Sequence, residues 1–265
     1  MKIIGKVLTI SAVCICVIFA VKIIATAVPT AKSSYDVVFL GDSIFGNYRD
    51  DTSIPSQFAE STGLSSYNGG MGGTYAGLMG GNSNTDILND CLSLVYVVNA
   101  IKNHDFSEIK AALPARKYVG IDYYAETIDG LEAIDYDSVK YIIIEHGLND
   151  YFGGQEIYSD SDVPDVNTYE GALLYAVQTL KESCPDAIIV LASPVYGMDD
   201  LSAYAAVASE VAEKENIYYF DAYNQGIVTP DNVHEVTEDD IHLNEIGRRA
   251  YAEALSEYFE GIADK

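Results

Sequence analysis

Short apolar runs alternate along the chain with longer stretches in which apolar positions recur every three or four residues. "YDVVFL" (35–40), "VKYIIIEHG" (139–147), "AIIVLASP" (187–194) and "IYYFDAY" (217–223) are rich in β-branched and aromatic residues and have no helical period, so they read as strands. "LSSYNGGMGGTY" (64–75) reads as a short strand running into glycines. Helices are predicted between them, beginning with 54–63, where Pro55 lies at the start and Gly63 just past the end. Others are expected over 85–103, 106–113, 122–134, 168–183, 201–216 and 244–261. Strands that alternate with helices imply an α/β fold with a parallel sheet covered on both faces.

The first residues break this pattern. Lys2 and Lys6 precede "VLTISAVCICVIFAV" (7–21), and Lys22 interrupts before "IIATAV" and Pro29. Two readings of residues 1–28 compete. Ala25-Thr26-Ala27 offers a cleavage site, which makes the segment a secretory signal peptide. Alternatively Ile3 to Val28 forms a single transmembrane anchor with Lys22 snorkelling to the interface, and the apolar length favours this. Either way the rest of the chain is expected to be extracellular or at the cell surface, secreted or anchored. Residues 29–34 read as a linker, and 35–265 as one domain.

Charge narrows the partners. The chain has 40 acidic and 15 basic residues, a net of −25. Such a polyanion is repelled by phosphate backbones, so nucleic acid is not an expected partner.

Ligand sites in parallel sheets gather beyond the carboxyl ends of the strands. Four polar clusters fall there. Gly41-Asp42-Ser43 follows the first strand, and Asn68-Gly69-Gly70-Met71-Gly72-Gly73 the second. Gly147-Leu148-Asn149-Asp150 follows the third, and Asp239-Asp240-Ile241-His242 precedes the last helix. Each alone suits a turn or a helix cap.

Together, in this order, they resemble the SGNH hydrolases, also called GDSL-type esterases and lipases, over about residues 35 to 258. The first block reads "GDSI", with Ile44 where Leu is usual. The second matches at Asn68 and Gly73, with Gly70 as a rival for the oxyanion role. Gly-x-Asn-Asp is intact at 147–150 and Asp-x-x-His at 239–242. The resemblance implies a three-layer α/β/α sandwich with a central parallel sheet, flavodoxin-like, and a serine esterase that needs no cofactor.

The chemistry fits that implication. A serine hydroxyl needs a base to take its proton, and an imidazole suits the task at neutral pH. Ser43 is the expected nucleophile and His242 the base. Asp239, three residues upstream, is placed to hold the ring, and Asp240 ranks second. The backbone N–H of Ser43, the backbone N–H of Gly73 and the side-chain amide of Asn149 are the expected oxyanion donors. Expected substrates are short acyl esters such as acetyl groups, on small molecules or carbohydrates. Lipid or lysophospholipid esters, acyl transfer and a non-catalytic glycan-binding module are the alternatives.

Other features are assigned lesser roles. His146 is expected to pack or hydrogen-bond beside the third block, and His104 and His234 to be solvated. Cys91 and Cys184 are expected as buried thiols, with a disulfide between them as the alternative. "YSDSDVPDVN" (158–167) is dense in oxygen ligands but lacks the glycine and distal Glu of an EF-hand loop, so it reads as a solvated loop rather than a cation site. No His or Cys spacing suits zinc. Residues 82–135 form a helical insertion between the second and third blocks, expected either to cap the pocket and select the acyl acceptor or to serve as edge scaffold.

Overall fold

A computed structural model describes residues 32–80, 90–113, 123–160, 163–195 and 201–263. Five strands form one sheet: β1 (Val37–Gly41), β2 (Ser66–Asn68), β3 (Tyr141–Glu145), β4 (Ile188–Ala192) and β5 (Tyr218–Phe220). Their order is β2-β1-β3-β4-β5, and every neighbouring pair is parallel. β1, β3 and β4 are buried along almost their whole length, which is why they read as continuous apolar runs rather than alternating ones.

The longer helices are α2 (Ile54–Thr62), α3 (Leu94–Asn103), α5 (Tyr124–Ala133), α7 (Tyr169–Ser183), α8 (Ser202–Glu215) and α10 (Glu245–Ala263). Shorter ones are α1 (Ser43–Gly46), α4 (Ser107–Ala112), α6 (Leu148–Gly153) and α9 (Val233–Val236). α2 packs against α10, while α7 packs against both α3 and α8. The result is the three-layer α/β/α sandwich with a central parallel sheet.

Aromatic side chains hold one face together. Phe39 of β1 meets Phe45 and Phe58 edge-on at 5.1 and 5.5 Å, and Phe259 of α10 meets Phe58 and Tyr141 at 4.9 and 5.1 Å. Each such pair adds roughly 1 kcal/mol beyond the area it buries. α2 starts as its sequence predicts. Ser53 caps it through Ser56 N, Pro follows in the first turn, and Gly63 closes it at φ 72°.

The ends of β1 and β3 lie side by side, with Gly41 paired to Glu145. The chain leaves β1 towards β2 on one side, whereas β3 lies on the other. This is a topological switch point, where the loops after the two strands part and leave a crevice. Ser43 follows β1 there and Asn149 follows β3.

The transmembrane alternative is corrected. Among the described residues no helix is long and apolar enough to cross a membrane. The longest, α10, carries Glu245, Arg248, Arg249, Glu253, Glu257 and Glu260, a charge density that a bilayer core excludes. The segment 1–28 on which the anchor rested lies outside the described residues, as do 29–31 of the linker. Residues 32–34 are fastened to the domain: Ser33 bridges Ile134, Ser34 Oγ meets Ser138 Oγ at 3.1 Å, and Lys32 pairs with Asp135.

Candidate active site

Ser43 opens α1, two residues beyond the end of β1, and is 6% exposed. Asp42 caps that helix. One of its carboxylate oxygens accepts the Ile44 amide at 2.9 Å, and the other accepts the Asn149 side-chain amide at 3.1 Å. Asp42 therefore sets the turn that presents Ser43 and also aims Asn149, whose second N–H remains to be directed elsewhere.

The glycine loop is laid along the end of β1. Gly69 N donates to Phe39 O and Met71 N to Gly41 O, both at 2.8 Å. Asn68 ties this loop to α1, donating to Phe45 O at 2.7 Å and Tyr48 O at 3.1 Å. The Gly70 amide is engaged with Asn68 Oδ1 at 3.1 Å. Gly72 lies near the serine. A Cβ placed on it would lie 3.6 Å from Ser43 Cβ and 2.7 Å from Asn47 Oδ1, so only glycine lets the backbone approach. Gly73 follows at φ 68°, in the left-handed region.

His242 and Asp239 are directly joined. Asp239 Oδ2 lies 2.8 Å from His242 Nδ1, and Asp239 Oδ1 accepts the His242 backbone amide at 2.7 Å. Burial raises the Asp239 pKa, but the hydrogen bonds from the His242 backbone and ring outweigh it and hold the carboxyl below its usual value. Asp240, the second-ranked carboxylate, turns away at φ 65° and pairs with His234 at 2.7 Å. The His242 ring lies within electrostatic reach of Asp42, where it favours the ionised carboxyl. Ser43 and His242 share no hydrogen bond among the described residues.

Beneath these groups is a buried acidic set, Asp42, Glu145 and Asp150, all 0% exposed. Burial raises Asp42 to about 6, against the hydrogen bond from Ile44 and the His242 charge. Burial, reinforced by the neighbouring Asp42 and Asp150, pushes Glu145 well above the usual range and keeps it neutral. Asp150 is raised by burial to about 7, although the Ala76 and Gly77 amides donate to its carboxylate at 3.0 to 3.3 Å. Asp150 thus fastens the chain just after the glycine loop.

Arg248 is a residue that motif reading misses. It is 4% exposed on α10 and joins the serine side to the histidine side. Its guanidinium donates to Leu243 O at 2.7 Å, to Thr52 O and Thr52 Oγ1 at 2.9 Å, and lies 3.4 Å over the Tyr48 ring. The one available signal is that Arg248, unlike its neighbour Arg249, falls on the helix face that the apolar period buries.

The remaining expectations resolve simply. Burial lowers His146 to about 3, so it stays neutral, and its carbonyl accepts the Tyr169 hydroxyl at 2.8 Å. His104 caps α3 in the left-handed region and His234 is 81% exposed. Cys91 and Cys184 are buried thiols, not a disulfide. Asp165 accepts the backbone and side-chain amides of Asn167, closing a turn, while residues 161–162 of that loop lie outside the described set. Among the described residues no cluster of His, Cys, Asp or Glu could hold a metal ion. Of the insertion, 82–89 and 114–122 lie outside the described residues; α3 packs into the helical layer, and α5 meets the glycine loop.

A family model described as GDSL-like Lipase/Acylhydrolase matches residues 39–250. The chain belongs to that family. Membership supports a hydrolase activity of the esterase and lipase kind. No curated protein matches the sequence. Solved structures do match in fold. A carbohydrate acetylesterase from Sinorhizobium meliloti is 14% identical, covers 85% of this chain and 98% of its own, and has a TM-score of 0.53. A possible lipase from Chitinophaga pinensis is 16% identical with coverages of 86% and 98% and a TM-score of 0.55. An aryl esterase from M. smegmatis is 17% identical with coverages of 85% and 98% and a TM-score of 0.53.

Proposed function

We propose that this GDSL-family chain is a serine esterase that removes short acyl groups, such as acetyl, from small-molecule or carbohydrate esters. The observation that carries the mechanism is the double hold of Asp239 on His242. With Nδ1 bound to a carboxylate, the ring offers Nε2 as the base, and Asp239 stabilises the imidazolium that forms. His242 takes the Ser43 proton as the hydroxyl attacks the ester carbonyl, then returns it to the leaving alcohol. Water, deprotonated by the same imidazole, releases the acyl group.

The negative charge developing on the carbonyl oxygen needs fixed donors. The amides of Ser43 and Gly73 and the second N–H of Asn149 are assigned that task. Gly73 is preferred to Gly70 because it completes the Asn-x4-Gly block that starts at Asn68. Losing one donor typically costs about 3 kcal/mol of transition-state stabilisation. A Ser43–His242 hydrogen bond, absent among the described residues, is expected to form when substrate arrives.

The short acyl group is supported by crowding. Ser43 is 6% exposed, and a methyl on Gly72 would lie 3.6 Å from its Cβ. The test is direct. Fluorophosphonate should label Ser43, and Ser43→Ala should abolish both labelling and turnover without loss of fold. On nitrophenyl esters the rate should fall with acyl length. A preference for eight carbons or more would reject the short-acyl reading, and a folded protein that resists the probe would point to a binding module.

A further inference from the structure

The N-terminal end of α5 reaches the glycine loop through two consecutive tyrosines. The Gly72 amide donates to Tyr123 Oη at 3.0 Å, and the Tyr124 hydroxyl donates to Gly72 O. Gly72 is therefore held on both sides, by one hydroxyl on each flanking peptide unit. The two rings pack edge to face at 5.1 Å. Tyr124 is 5% exposed, so its hydrogen bond is made out of water.

The tyrosines are braced in turn. The Arg49 guanidinium lies 4.4 Å over the Tyr123 ring and donates to Gly70 O and Thr127 Oγ1, each at 2.6 Å. Thr127, one turn into α5, passes its hydroxyl to Tyr123 O at 2.9 Å. One cation thus joins the helix start and the loop into a single rigid piece.

The consequence follows from peptide geometry. The Gly72 carbonyl and the Gly73 N–H belong to one planar unit and point in opposite directions. A donor on the carbonyl fixes the plane, and so the direction of the N–H. It also draws electron density to the oxygen, which makes the N–H a better donor. Gly73 has no side chain and sits at φ 68°, so nothing in its own sterics restrains that plane.

We propose that Tyr124, supported by Tyr123, is a positioning residue for oxyanion stabilisation, setting and polarising the peptide unit that carries the Gly73 N–H. The inference rests on the esterase reading above. It also gives the insertion a task beneath the loop that presents the site, rather than above the cleft.

The experiment compares Tyr124→Phe, Ser43→Ala and a control, Tyr136→Phe, with wild type on nitrophenyl acetate. Tyr136 is a buried tyrosine whose hydroxyl donates to Leu131 O, so the control removes a similar bond at the other end of α5. Tyr124→Phe should lower kcat about tenfold with KM within about twofold, and weaken a boronic acid, whose serine adduct is a tetrahedral anion, by a similar factor. Tyr136→Phe should leave kcat unchanged. If Tyr124→Phe keeps wild-type kcat and boronate affinity, or the control loses as much, the inference is overturned while the esterase reading stands. If Ser43→Ala retains wild-type turnover, that reading fails and takes the inference with it. Should Tyr124→Phe not fold, Tyr123→Phe decides: a loss of about threefold or more in kcat at constant KM supports the proposal, and no loss overturns it.

Discussion

Asp239 grips His242 with both oxygens of one carboxylate, the ring at 2.8 Å and the backbone amide at 2.7 Å. The backbone bond positions the residue and the ring bond sets its tautomer. A single carboxylate therefore holds both the backbone and the ring of His242.

Asp239→Asn separates the two effects. An asparagine can still accept the backbone amide, but it neither stabilises an imidazolium nor enforces the tautomer. kcat on nitrophenyl acetate should fall by about two orders of magnitude or more, with little change in the unfolding midpoint. Asp240→Asn should leave kcat within about twofold, because Asp240 faces His234. Equal losses in the two variants would remove Asp239 from its assigned role.

Gly72→Ala tests the approach of backbone to nucleophile. The added methyl would press on Asn47 Oδ1 and enter the space beside Ser43. The rate of Ser43 labelling by a fluorophosphonate should drop at least about tenfold while the circular dichroism spectrum is retained. Unchanged labelling would mean that acyl groups reach Ser43 from another side.

Arg248→Met breaks the tie between the serine and histidine loops. It leaves two backbone carbonyls, of Thr52 and Leu243, without their buried donor. Stability should fall by about 2 kcal/mol in urea titration, and kcat should fall with it. Stability lost without any loss of kcat would show that the two loops keep their relative position unaided.

The buried acids set a pH dependence of stability. Asp150 is raised to about 7 and Asp42 to about 6, so the folded state holds protons there that the unfolded chain has released. Their stabilising effect is complete below the ordinary carboxylate range and is lost as pH rises through about 6 to 7. Melting temperature should therefore decline between about pH 4.5 and pH 7.5. The general acidity of the chain acts in the same direction, so the comparison that matters is with Asp150→Asn, whose decline should be shallower. An equally steep decline would assign the slope to surface repulsion alone.

Much of this arrangement was legible because it rests on local pattern. The buried strands announce themselves as unbroken apolar runs, and three of the four polar blocks stand at strand ends, the fourth preceding α10. Sequence spacing picked out Asp239 over Asp240, and the structure gives the Asp239 carboxylate to His242. The supports were not legible. Arg248, Glu145 and the Tyr123–Tyr124 pair act through contacts distant along the chain. A charged residue in an amphipathic helix looks solvated until the packing is known. The short helices Ser43–Gly46 and Leu148–Gly153 were missed because their few residues carry no period and their first turns coincide with the polar blocks.

Residues 32–34 lie against the chain at 133–138, just ahead of β3, whereas Ser43 stands past the other end of β1. Residues 32–34 thus lie at the end of the sheet opposite Ser43. A bulky label coupled through Lys32→Cys should therefore leave turnover on nitrophenyl acetate unchanged.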